Sequence, residues 1–171
     1  ALALADQLIV MTKAAIAQRG DPKAVYERPS DAFVAGFLGA ANLVPSRILS
    51  RHGDTVEIGG PAMLRPARVS AGNLPTSGVD ALLMIRPEDL VVAKDPDAAL
   101  WSGKVRQRLF QGDRYIYIID LGGGVRVHLT TPNDVVLEQG GEVNLARRSD
   151  AVGLVLAADA AEAVSEAVAG S

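Results

Sequence analysis

Beyond Asn42 the chain is written in short apolar runs rich in Val, Ile and Leu, each closed by Gly, Pro, Asn or Asp, as in "RHGD", "IGGP", "LPTSG", "GDR", "LGGG", "TPND" and "EQGG". In "VRVHLT", Val125, Val127 and Leu129 fall on one side and Arg126, His128 and Thr130 on the other, the period of a strand with one buried face. "RYIYIID" is apolar on both sides, which predicts a strand lying between two layers. The pattern predicts strands at 43–50, 54–58, 79–85, 89–93, 102–110, 114–121, 124–130, 142–147 and 152–157. No helical period intervenes, and short antiparallel strands in this number avoid open edges by closing, so a mainly β fold of sandwich or small-barrel type is expected.

The first 40 residues have a different texture. The apolar runs Gln7 to Met11 and Ala15 to Arg19, separated by "TKA", predict a hairpin. Asp21 is placed to cap a helix whose first residue, Pro22, loses nothing by lacking an N–H. Pro29 pushes Arg28 out of the helical region, so Pro22 to Glu27 is predicted as a short helix. Ser30 is a second N-cap candidate, and Phe33, Val34, Phe37 and Leu38 form one apolar stripe before Gly39 closes that helix. The chain thus divides into a mixed α/β segment (1–40), a β-domain (41–157) and an Ala/Glu-rich tail (158–171) read as a frayed helix or as disordered.

At 171 residues the chain fits one main domain with a real core. Its 17 Lys and Arg against 20 Asp and Glu give a net charge of -3, so a nucleic-acid role would need a local basic patch rather than a diffuse positive field. The absence of Cys excludes a disulfide framework, a thiolate metal site and a Cys nucleophile, and suits a reducing compartment. The longest apolar runs, such as "ALLMI", fall far short of the ~20 residues that span a bilayer.

Few residues carry candidate chemistry. Gly122, Gly123 and Gly124 stand between two β-runs and read as a hairpin turn rather than a phosphate cradle, since no Lys-Ser/Thr follows. His52 and His128 are isolated and read as surface residues rather than metal ligands. "IRPEDL" places Arg86 beside Glu88 and Asp89. The preferred reading is a rigid turn with a local ion pair, and the functional one is a ligand or partner contact. Lys104, Arg106 and Arg108 alternate along one predicted strand and so share a face, with Gln111 and Arg114 nearby. An anion or oligonucleotide surface there would need stacking aromatics, and aromatics are only 4% of the chain, so a solvated face or a partner contact is preferred. No Ser-His-acid order, carboxylate pair or nucleophile motif is discernible, and no catalytic, cofactor-binding or metal-binding residue is assigned.

The segments "ALALADQLIVM", "DPKAVYERPSDAFVAGFLGAANLV", "LLMIRPEDLVV" and "QGDRYIYIIDLGGGVRV", in this order, resemble the C-terminal part of the ATP-binding subunits of bacterial ABC importers of the maltose, polyamine and ferric-iron group. The resemblance implies an OB-like, transport-associated (TOBE) β-barrel domain preceded by a short α/β remnant of a nucleotide-binding domain. It implies a parent protein that uses ATP and Mg2+, with the hydrolytic machinery upstream of Ala1. A second copy of the subunit, membrane permease subunits on the cytoplasmic face and a small-molecule or protein regulator are the implied partners; nucleic acid is not. The fragment's expected place is cytoplasmic and peripheral to the membrane, its expected role regulation and dimerisation. In that family the "IRPEDL" strip lies near the contact between two β-domains, which makes Arg86, Glu88 and Asp89 candidate interface contacts; Arg106 and Arg108, from the alternating strand face, are added as candidate interface or regulatory contacts. Where such subunits usually carry a Gly in the hairpin, this chain has Lys13, Ala14 and Ala15, which predicts a turn type that does not demand a positive φ. The alternative is a stand-alone OB-type module for a small anion or oligonucleotide, dependent on Arg106 and Arg108.

Overall fold

The computed structural model describes residues 6–71, 79–148 and 153–158. Strands β1 (Leu8–Thr12) and β2 (Ala15–Gly20) pair antiparallel, with Thr12 opposite Ala15. Only Lys13 and Ala14 remain to turn the chain, and both have positive φ, 46° and 63°. The expected turn without positive φ is therefore not formed. A two-residue connection must match the right-handed twist of its strands, which imposes the left-handed backbone at both positions, at a cost of about 1–2 kcal/mol for each non-Gly residue.

Helix α1 (Pro22–Glu27) starts as its sequence dictates, with Asp21 accepting from the Ala24 N–H at 3.0 Å. Helix α2 (Ala32–Phe37) is capped by Asp31, not Ser30. The Asp31 carboxylate accepts from the Val34 N–H at 2.8 Å, and the Ser30 hydroxyl donates to that same carboxylate. Of the predicted stripe, Val34 is buried and Phe33 and Leu38 are half-buried against Val10 and Val25, but Phe37 is not covered, and the helix buries a second side, Ala32 and Ala35, that the stripe did not include. Phe33 and Phe37 stack on each other at 5.9 Å, with Phe37 left exposed. Packing decides this. Ala32 and Ala35 are small enough to lie directly on Leu82, Met84, Leu154 and Leu156, while Val34 joins Val10 and Val25 in a separate small core.

Five strands then close a barrel in the order β12-β5-β4-β3-β6: β3 (Asn42–His52), β4 (Thr55–Gly59), β5 (Ala67–Ser70), β6 (Asp80–Ile85) and β12 (Leu154–Ala157). Strand β5 has only four residues and carries no pattern that the sequence reading registered. Between β6 and β12 lies a second, five-stranded sheet in the order β10-β9-β8-β11-β7. It comprises β7 (Leu90–Val92), β8 (Trp101–Phe110), β9 (Arg114–Gly122), β10 (Val125–Pro132) and β11 (Glu142–Arg147). The mainly β, OB-like architecture is the one expected, built from a closed barrel and a second sheet over one continuous core that runs from Ile48, Ile58 and Leu83 to Trp101, Ile119 and Leu145.

Details of the second sheet follow the pattern in part. Val127 and Leu129 are buried and Arg126 and His128 exposed, as the alternation requires. Gly123 and Gly124 form the two-residue turn between β9 and β10, with φ of 59° and 83°. On β9 only one side is fully covered: Tyr117 and Ile119 are buried, whereas Ile116 and Ile118 on the other side are half-buried. The two β units are tied by Asn42, 3% exposed, whose side chain donates to the His128 carbonyl at 2.8 Å and accepts from the His128 N–H at 2.7 Å. The tail expectation, apart from Ala158, lies outside the described residues.

Candidate functional site

Strand β6 runs apolar to Ile85 and hands the chain to Arg86, whose following Pro87 starts a single 3-10 turn, Pro87–Asp89. Arg86 is only 3% exposed. Its Nη1 donates to the carbonyls of Ala35 (2.9 Å), Ala40 (3.1 Å) and Gly39 (3.3 Å), and its Nη2 to that of Tyr26 (2.8 Å). The guanidinium also lies over the Tyr26 ring, 3.8 Å from its centroid, and Tyr26 donates its hydroxyl to Glu88 Oε1 at 2.7 Å. Burial lowers the pKa of Arg86, partly offset by Tyr26, Glu88 and Asp89. Burial, reinforced by the hydrogen bond to Glu88, pushes the Tyr26 hydroxyl up to about 12. Asp89 turns the other way and accepts from Arg148 Nη2 at 2.8 Å, while its carbonyl accepts from the Arg148 N–H at 2.8 Å. The three residues of the "IRPEDL" strip thus reach two parts of the chain: the α1–α2 segment through Arg86 and Glu88, and the end of β11 through Asp89.

The second cluster departs from the sequence reading. Lys104 pairs across to Asp120 and Val105 to Ile119, but Gln107 pairs with Ile118 and Arg108 with Tyr117, so one extra residue, Arg106, is accommodated between them as a bulge. The bulge reverses the alternation, and Lys104, Arg106 and Arg108 do not share a face. Arg106 reaches Asp120 Oδ2 with Nε (3.0 Å) and Nη2 (2.8 Å), on the side of Lys104. The Gly122 N–H, first, and Arg106 hold the Asp120 carboxyl below the usual range. Arg108 falls on the side of Tyr117. Its Nη1 donates to the Leu137 carbonyl at 3.4 Å, and its guanidinium lies 5.8 Å from the Tyr115 ring. That side also carries a ladder of rings, Phe110 to Tyr115 at 5.1 Å and Tyr115 to Tyr117 at 5.8 Å, the Phe110 end being exposed.

Tyr26 and Asn42 were not singled out from the sequence as site residues, and the only signal near Tyr26 was the "YERP" string. Among the described residues no group of three or more His, Asp or Glu is gathered to hold a metal ion. Gly123 and Gly124 form the β9–β10 turn and Gly122 ends β9, paired with Val125. No helix among the described residues is long and apolar enough to cross a membrane.

Residues 83–156 match the family described as TOBE domain. The spermidine/putrescine import ATP-binding protein PotA of Chromobacterium violaceum is 31% identical over 162 residues, covering 88% of this chain and 44% of that protein. The Fe(3+) ions import ATP-binding protein FbpC of Brucella abortus is 36% identical over 128 residues, 72% of this chain and 34% of that one. The chain therefore spans less than half the length of these relatives. A solved structure of the cytoplasmic molybdate-binding protein ModG, with molybdate bound, superposes with a TM-score of 0.56 at 15% identity, covering 68% of this chain and 95% of that one, a likeness of fold. Residues 83–156, from within β6 to β12, are thus a TOBE domain, and the chain is homologous to the C-terminal region of the ATP-binding subunits of ABC importers.

Proposed function

We propose that this chain is the dimerising and regulatory C-terminal region of an importer ATPase, with residues 1–40 belonging to its nucleotide-binding domain and 41–157 forming the accessory β-domain. The observation that carries this reading is the state of the β1–β2 sheet. A two-stranded sheet is marginal alone, and here Ile9, Met11 and Ile16 are 49%, 57% and 57% exposed on it. Such a surface suits a sheet completed by further strands of a larger domain. In that parent, ATP and Mg2+ would be held in the part of the relatives' length that this chain does not span. The β-domain's contribution is to keep two ATPase halves at high effective concentration, with no contact to the nucleotide itself. The parent would sit on permease subunits at the cytoplasmic face of the membrane, and an effector would act through unequal affinity for open and closed dimers.

The second reading, a module for a small anion or oligonucleotide, draws on the likeness to ModG. Against it, Arg106 is already neutralised by Asp120. Sedimentation of the chain over a range of concentrations, with calorimetric titration of molybdate and of a short oligonucleotide, separates the two. A reversible dimer with no binding heat is expected. A monomer at every concentration, with saturable heat that Arg106→Glu or Arg108→Glu abolishes, would replace the first reading by the second.

A further inference from the structure

We infer that Arg86, latched by the Tyr26–Glu88 hydrogen bond, is the joint that makes the α1–α2 segment and the β-barrel move as one rigid body. Neither helix can hold itself: each has six residues, well below the ~12–15 at which an isolated helix becomes even marginal in water. Their C-terminal carbonyls lack partners within the helices and carry the negative end of the backbone dipoles. A single guanidinium, projecting from the end of β6, answers both. It takes Tyr26 O in the last turn of α1 and Ala35 O, Gly39 O and Ala40 O at and beyond the end of α2.

Arg86 has no carboxylate within ion-pair distance among the described residues. A buried cation is therefore balanced chiefly by carbonyl dipoles of another element, and separating the two elements strands both the charge and four acceptors. That is a steep, short-range attachment. It differs from the apolar contact of Ala32 and Ala35 with the barrel, where small side chains can slide.

Tyr26 sets the direction of the joint. Its ring lies under the guanidinium, and its hydroxyl is pinned to Glu88 two residues further along the same strip, so α1 is held at two points. The strip continues through Asp89 to Arg148 at the end of β11. A displacement of the α1–α2 segment is therefore passed to both β units without a flexible link. The source of such a displacement, an ATPase domain, rests on the function proposed above; the joint itself does not.

Hydrogen exchange on the whole chain tests it, comparing the unsubstituted chain with Tyr26→Phe, Glu88→Ala, the double variant and Arg86→Lys. Arg86→Lys keeps the charge but not the planar fork. Loss of the latch is expected to speed exchange of the Val25, Arg28, Ala35 and Leu38 amides by about tenfold, the scale of a hydrogen bond to a charged acceptor, with β3 and β4 amides unchanged. The double variant should add nothing to Tyr26→Phe, and Arg86→Lys should exceed both. A second readout is alkaline stability. A tyrosine whose folded-state pKa is raised to about 12 stabilises the fold fully below its unfolded value of 10.0, and this is lost as pH rises between the two. The unsubstituted chain should lose stability across that window and Tyr26→Phe should lack this component. Equal acceleration of α1–α2 and barrel amides, no acceleration, or additive effects of Tyr26→Phe and Glu88→Ala would each overturn the joint. None of these would touch the dimer on which the proposed function is judged.

Discussion

A two-residue connection between antiparallel strands makes the same backbone demand of whatever residues fill it. At Gly123–Gly124 the demand costs little; at Lys13–Ala14 it is met by side chains that resist it. Replacing Lys13 and Ala14 by Asn and Gly should stabilise the hairpin by about 1 kcal/mol, the relief of left-handed strain less the extra chain entropy of glycine. Slower exchange of β1 and β2 amides with unchanged barrel amides would show it, and unchanged hairpin exchange would refute it. The glycine turn was legible because its residues announce the conformation, whereas the Lys-Ala turn is dictated by strand spacing and twist. Arg86 was legible as a residue worth attention but not for what it does, because its acceptors stand 46 to 60 positions upstream and are backbone carbonyls, which any sequence would supply.

Strand β8 shows why an element read by its period can mislead. The strand itself was legible from composition, but one extra residue at Arg106 reverses the faces beyond it, and a bulge leaves no mark that an alternating pattern can register. Strand β10, on the far side of β9, has no such insertion after its first pair, and its inward and outward residues fell where the period put them. Close to the bulge, Gly103 lets β8 approach β9: a Cβ there would lie 2.6 Å from the Asp120 carbonyl oxygen and 2.7 Å from Ile119 Cγ2. The carbonyl is backbone and cannot swing aside. Gly103→Ala should therefore cost about 1–3 kcal/mol in urea unfolding, the scale of overpacking in a well-filled core, and a neutral result would mean that the two strands separate more readily than their pairing suggests.

Across the whole molecule, the fold class and every strand but β5 were legible, but the division into a barrel and a second sheet was not. Pairing order is decided by contacts between distant runs of similar composition, and nothing local in "LVLA" says that it belongs with β6 rather than β11. Asn42 is one of the few polar side chains in the bond between the two units. Asn42→Ala would leave the buried side of the His128 N–H and carbonyl without partners. A loss of about 2–3 kcal/mol is expected in chemical unfolding, with the two units still melting together if the shared core dominates; separate transitions would show that Asn42 carries the coupling.

The placement of β12 also bears on how the molecule is made. Every strand of the second sheet lies in one stretch from Leu90 to Arg147, so that sheet can pair as soon as this stretch has left the ribosome. The first barrel cannot: β3 to β6 emerge early and wait for Leu154–Ala157 to fill the gap between β6 and β5. Until then β6 presents an unpaired apolar edge, the kind of edge that recruits other chains. A message cut short before Leu154 thus yields an open barrel rather than a trimmed one, and the unit begun first during synthesis is the one finished last.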